Sequence, residues 1–177
     1  LGRLMEAESD WLEALPLYER LADAGGVVRT CLGASSRIFW SGRYREGAEL
    51  ALRGLRFLGD EPSRGRCRLL AAAGTGLAQA GDLTAGGPMM EQAFADAASL
   101  RLGPRPVGEM LMSKAWLHFA YMQYQDCVEA GTHGSELLRG LDEYVAISNA
   151  AVALTGLNRM GRVGEAEALA GKLLRRD

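Results

Sequence analysis

The sequence predicts an all-α protein, a right-handed α-solenoid of antiparallel helix pairs. Three observations carry this. Apolar residues recur at helical spacing, Gly and Ala are plentiful where β-branched residues are scarce, and a short turn pattern returns at near-regular intervals. Ile occurs only at Ile38 and Ile147, and aromatic residues make up 7% of a chain that is 48% hydrophobic. A β-sandwich would need more Val, Ile, Thr and Tyr, whereas closely packed helices suit this mixture. The 177 residues are enough to bury a sizeable core.

The turn pattern is clearest at Gly42-Arg43-Tyr44 followed by Gly47. It returns as Gly81-Asp82-Leu83 before Gly86 and as Gly161-Arg162-Val163 before Ala166, with a weaker copy at Met122-Gln123-Tyr124 before Cys127. A fragmentary copy, Ser9-Asp10-Trp11 before Ala14, opens the series. The anchors Ala14, Gly47, Gly86, Cys127 and Ala166 are spaced by 33, 39, 41 and 39 residues. In each copy a small residue ends one helix in a left-handed cap, a polar residue turns the chain and the next residue packs back. The small anchor then lies where two helices must approach closely. Ser35, Gly74, Ala115 and, less well, Leu154 precede the anchors by twelve positions, and Gly54, Ala93 and Gly134 follow by seven.

Between turns the pattern is helical, with helices of about 14–18 residues and 21–27 Å. Leu15, Tyr18 and Leu21 form one stripe, and Leu111, Ala115, Phe119 and Met122 another. Pro16 and Pro88 are expected in first helical turns, where a missing N–H costs little. The basic Arg175-Arg176 end suits a helix C-terminus. The stretches LGDEPSRG and LGPRPVG break the periodicity and read as loops between repeats, because the ladder continues across both. One domain over 1–177 results, with repeats at 1–26 (partial), 27–62, 63–103, 104–142 and 143–177. That is a leading helix and about four pairs.

The ladder resembles the tetratricopeptide repeat. Ser35, Gly42, Tyr44, Gly47, Ala51 and Gly54 carry the best copy, and Gly74, Leu77, Gly81, Gly86 and Ala93 the next. The period departs from that family, running near 40 where about 34 is usual. Longer repeats of this kind resemble the helical regions of large bacterial regulators, such as LuxR-type ATPase activators and ATPase-linked class III cyclases. The resemblance implies a stacked array whose first helices line a concave face. It also implies a non-catalytic scaffold within a larger cytoplasmic protein, binding a protein, a peptide or neighbouring domains.

On that alignment the concave face holds Arg29, Ser36, Phe39 and Trp40, then Arg68, Thr75 and Gln79, then Trp116 and Phe119, and last Thr155, Asn158 and Arg159. Arg and aromatic residues are the types that supply interface hot spots. The alternative is that Phe39, Trp40, Trp116 and Phe119 are core. The Lys/Asn/Arg clamp of chaperone-binding family members has no matching positions. A different reading makes the region a small-molecule sensor, with Trp40, Trp116 and flanking Arg residues forming a groove.

Other chemistry finds little support. Net charge is −2, which gives no reason to expect nucleic acid or an anionic membrane. The segment Arg29–Arg68 nevertheless holds nine Arg against four acids, and Asp126–Glu143 holds five acids against Arg139. Either these are solvated helix faces or the surface is bipolar. GTGLAQAG offers Gly residues but no GK[ST], so it is read as packing and not as a phosphate loop. Cys31, Cys67 and Cys127 have no metal-ligand spacing and read as small buried residues. His118 reads as a core or groove residue and His133 as a partly exposed one, with Glu136 at helical spacing from it. No metal or cofactor is expected, nor a membrane span.

Overall fold

The computed structural model describes the backbone of residues 2–174 and the side chains of 8–173. Among the described residues there are nine helices and no strand. They are α1 (Gly2–Arg20), α2 (Ala24–Trp40), α3 (Tyr44–Leu58), α4 (Arg64–Gln79), α5 (Leu83–Ser99), α6 (Pro104–Ala120), α7 (Tyr124–Leu138), α8 (Glu143–Arg159) and α9 (Val163–Leu174). This is an all-α, solenoid-like succession of a leading helix and four hairpins. The chain forms two compact units, Leu1–Arg101 and Leu102–Asp177. In the first, each helix from α1 to α5 packs on the next and α2 also lies against α4; in the second, α6 to α9 do the same and α6 lies against α8. Arg175 and Arg176 fall outside the described residues.

The hairpin turns work as the repeat implies. Gly42, Gly81 and Gly161 adopt left-handed backbone, at φ of 81°, 92° and 70°. At the first of them the Gly42 N–H donates to the Phe39 carbonyl at 2.9 Å, and the Arg43 N–H to the Ile38 carbonyl at 3.2 Å. That pair of bonds is the Schellman arrangement, which satisfies helix-end carbonyls that would otherwise be orphaned. The same two bonds recur around Gly81, Met122, Gly161 and Ala22. In every case the residue after the left-handed one is already the N-terminal flank of the next helix. At Asp23 and Asp82 the side chain caps that helix as well, accepting from Gly26 and Ala85.

Three sequence expectations are corrected here. Ser9, Asp10 and Trp11 lie inside α1, which continues through them because nothing there stops a helix. The first turn falls instead at Ala22, whose φ is 52°. Pro16 and Pro88 sit well inside α1 and α5. Each tolerates this because the carbonyl four residues earlier belongs to an exposed residue, Leu12 or Thr84, and can be hydrated. Leu21 and Met122 are 76% and 74% exposed, since both lie in turns and not on the packed stripes.

Small residues place the helices in contact, as the ladder implies. A Cβ on Gly47 would lie 3.1 Å from the Ser35 carbonyl oxygen, and one on Gly74 only 2.8 Å from that of Gly86. The Ser35 hydroxyl donates to the Gly47 carbonyl at 2.7 Å in a buried bond. Around these contacts Leu15, Val27, Cys31, Ala51, Leu69 and Ala73 form the core of the first unit. Each buried aliphatic side chain of the Leu or Val kind contributes about 1.5–3 kcal/mol, so close backbone approach is what lets so many alanines suffice. The first unit adds a part-buried ion pair: Arg66 donates to Asp96 at 2.8 Å, joining α4 to α5.

Candidate functional site

The helix faces singled out in the sequence divide by exposure. On α2, Arg29, Ser36 and Trp40 are exposed and Phe39 is half-buried. On α4, Arg68 and Gln79 are half-buried, but Thr75 is 4% exposed and part of the interior, so it belongs to no surface. On α6, Trp116 and Phe119 are half-buried; on α8, Asn158 and Arg159 are exposed and Thr155 is half-buried.

Two aromatic clusters stand at hairpin ends. In the first unit Phe39 lies edge-on to Trp40, centroids 5.7 Å apart, and to Tyr44 at 5.0 Å. In the second Phe119 lies edge-on to Trp116 at 5.6 Å and tilted to Tyr124 at 5.5 Å. The Arg159 guanidinium stands 5.6 Å from the centre of the Phe119 ring. Such edge contacts are worth about 0.5–1.5 kcal/mol beyond area burial, and they fix ring orientation. Trp40 keeps 61% of its surface exposed while held this way.

The basic stretch from Arg29 to Arg68 is tied down in part. Arg53 grips Glu19 through two bonds, at 2.7 and 2.6 Å. This holds the Glu19 carboxyl below the usual glutamate range. Arg43 pairs with Glu8, and Arg66 with Asp96. Arg29 is 4.0 Å from Asp23 with 71% of its side chain exposed.

Sequence reasoning missed a groove of about 520 Å³ between α6 and α7. Leu111, Lys114 and His118 line it from α6; Asp126, Glu129, Ala130 and His133 line it from α7. Both histidines of the protein therefore face one depression. His118 Nδ1 lies 2.8 Å from Gln123 Oε1. The signal was present, since 111, 114 and 118 share a helical face, as do 126, 129, 130 and 133. Only hairpin pairing brings the two faces together.

The three cysteines are buried and free. Burial pushes the thiols of Cys31 and Cys127 up to about 11, and that of Cys67 upward as well, so they are neutral near pH 7 and weak nucleophiles. Among the described residues no three His, Cys, Asp or Glu side chains are placed to hold a metal ion. No described helix is long and apolar enough to cross a membrane. No protein-family model matches the sequence, and no curated protein matches it either.

Proposed function

We propose that this chain is a non-catalytic helical-repeat scaffold, related to the tetratricopeptide repeat, that binds a protein, a peptide or a neighbouring domain through the faces of its helices. The observation that carries this reading is Trp40. A large aromatic ring, 61% exposed yet oriented by Phe39, with exposed Ser36 on the same helix, is the kind of rigid anchor that interfaces use. Exposed Asn158 and Arg159 offer a similar polar and cationic surface on α8. The small-residue contacts at Gly47 and Gly74 support the repeat kinship. On this reading the parent is a cytoplasmic bacterial regulator, and its repeats pass strain or occupancy between attached domains through nearest-neighbour packing.

The test is site-specific photo-crosslinking in the cells that make the protein. A crosslinker at Ser36 is expected to give a discrete protein adduct, or an adduct within the parent chain. Trp40→Ala is expected to reduce that adduct about tenfold or more, the scale of losing one hot-spot aromatic. Adducts unaffected by Trp40→Ala would overturn the assignment of this face.

A further inference from the structure

Helix α8 has two unlike sides. Ala146, Ala150, Val152, Ala153 and Leu157 are buried on one of them. The other is open: Tyr144 is 82% exposed and Ile147 47%, and Ala151 and Asn158 are exposed as well. These four positions form one stripe, because steps of three, four and seven residues return to the same side of a helix. None of the residues from Tyr144 to Asn158 is charged. A helix side that faces water normally carries charges, so this one has the composition of a covered surface. Helix α4 has a comparable uncharged run, Leu69 to Gln79, and there only Ala72 and Gln79 escape burial.

The arrangement of this side is self-complementary about Ala151. Tyr144 and Asn158 lie equally far from it along the helix, both close to the centre line of the stripe. Successive residues turn by about 100°, so Ile147 and Leu154 fall on one edge and Ser148 and Thr155 on the other. Exposed Glu143 begins the helix and exposed Arg159 ends it. A two-fold axis beside Ala151 and perpendicular to the helix reverses its direction while keeping each edge on its own side. Ile147 of one copy then lies over Leu154 of the other, Ser148 over Thr155, and Tyr144 reaches the Asn158 amide, each of them twice. Ala151 meets Ala151, which lets the helices approach closely. The acidic start of each helix comes level with the basic end of the other, and the helix dipoles oppose favourably. A parallel pair would instead set Ile147 against Ser148 and Glu143 beside Glu143. The Ser148 and Thr155 hydroxyls already donate to the Tyr144 and Ala151 carbonyls at 2.8 and 2.9 Å, so covering that edge strands no donor.

We propose that the exposed side of α8 is a self-association surface, at which two copies of this chain pack antiparallel with Ala151 against Ala151 on a two-fold axis. The proposal goes beyond the scaffold reading and gives the polar surface at Asn158 and Arg159 a specified partner. A helix of 17 residues is about 26 Å long, and one such contact is smaller than the roughly 800 Å² per partner of a standard interface. The dimer is therefore a weak one, in the micromolar range.

The test is sedimentation velocity on the full chain, which is expected to be largely dimeric at about 100 µM and largely monomeric at about 1 µM. Ala151→Arg, at an exposed position, is expected to weaken the dimer about tenfold or more while leaving the helical circular-dichroism spectrum unchanged. Ala151→Cys supplies the register, because a residue on a two-fold axis meets its own counterpart. On mild oxidation it is expected to form a disulfide-linked dimer at least about tenfold faster than Ala168→Cys, an exposed position on α9, the native cysteines being buried. A monomer at the higher concentration overturns the proposal and leaves this side of α8 to a following helix or to another protein. Unchanged affinity in Ala151→Arg overturns it as well, and so does equal crosslinking at 151 and 168. Adducts at Ser36 that depend on Trp40 report on α2, so the scaffold reading stands or falls separately.

Discussion

At the turn between α2 and α3 the left-handed residue is Gly42; at the corresponding turn between α6 and α7 it is Met122, with φ of 57°. The hydrogen bonds are the same and the helices on either side end at corresponding positions. Other pairs differ in the same manner. The first hairpin closes on a Ser35 to Gly47 hydrogen bond, where the second has Ala115 and Cys127. The first unit buries Leu69 against Gly54, while at the matching place the second buries Asn149 against Gly134. Asn149 Nδ2 donates to the Gly108 and Val145 carbonyls at 3.1 and 3.0 Å, yet its Oδ1 has no partner. Helix geometry is held by the turn bonds and by residue size, so it survives exchanges that carry a local cost.

That contrast can be broken most severely at the Gly47 anchor. Gly47→Leu would drive a side chain into the Ser35 backbone, and we expect a loss of at least about 3 kcal/mol or outright unfolding. Cys127→Leu, at a position that already holds a side chain, should cost clearly less. Thermal unfolding followed by circular dichroism compares the two, and equal losses would mean that both anchors are equally tight and that the contrast is not there. Next comes the Arg66–Asp96 ion pair, for the second unit has Ala146 at the place of Arg66. Arg66→Ala leaves the 6% exposed Asp96 carboxylate with Gln92 but without its cation and should cost about 2–3 kcal/mol, measured by urea unfolding.

The second unit should gain where it departs from the first. Asn149→Leu is expected to stabilise by about 1 kcal/mol, because an unsatisfied buried oxygen is replaced by the residue type that the first unit uses. A destabilised variant would show that the bond to Gly108 outweighs the orphan oxygen. Met122→Gly should add about 0.5–1 kcal/mol by relieving left-handed strain, with no packing lost at a residue this exposed. The smallest effect concerns pH. The folded-state carboxyl of Glu19 is depressed, so the contribution of its pair with Arg53 is complete above the unfolded value of about 4.3 and fades as pH falls through the folded one. Because the Arg53 side chain is 40% exposed, we expect about 1 kcal/mol or less, absent in Glu19→Gln, from unfolding midpoints between pH 3 and 7.

The sequence made the helices and most hairpin turns legible, because Gly at a left-handed cap and small residues at close approaches are written in single letters. Ala22 and Met122 hid their turns, since neither residue advertises positive φ and only the packed helices impose it. Pro88 misled for a related reason: its cost vanishes on a solvated face that composition does not reveal. Among site residues, the exposure of Trp40 followed from its place beside a turn. Thr75 did not follow, because a hydroxyl at helical spacing looks alike on either face. The α6–α7 groove was invisible for a third reason, since it belongs to two helices at once.

The connections on the two sides of each helix pair differ in length. Three residues separate α1 from α2, α2 from α3, α4 from α5, α6 from α7 and α8 from α9, while α3–α4, α5–α6 and α7–α8 take five, four and four. In the short turns one residue both closes a helix and begins the next, so an inserted residue would break the hydrogen bonds that the two helix ends share. Insertions and deletions are therefore best accommodated in the longer connections, whereas the widening of the anchor spacing between Gly86 and Cys127 has its source in helix length, α5 and α6 having 17 residues each against 15 and 16 in α3 and α4. A tag, a cleavage site or a fused domain placed between Gly59 and Ser63 should leave the hairpins in phase, whereas the same insert at Gly42 would not.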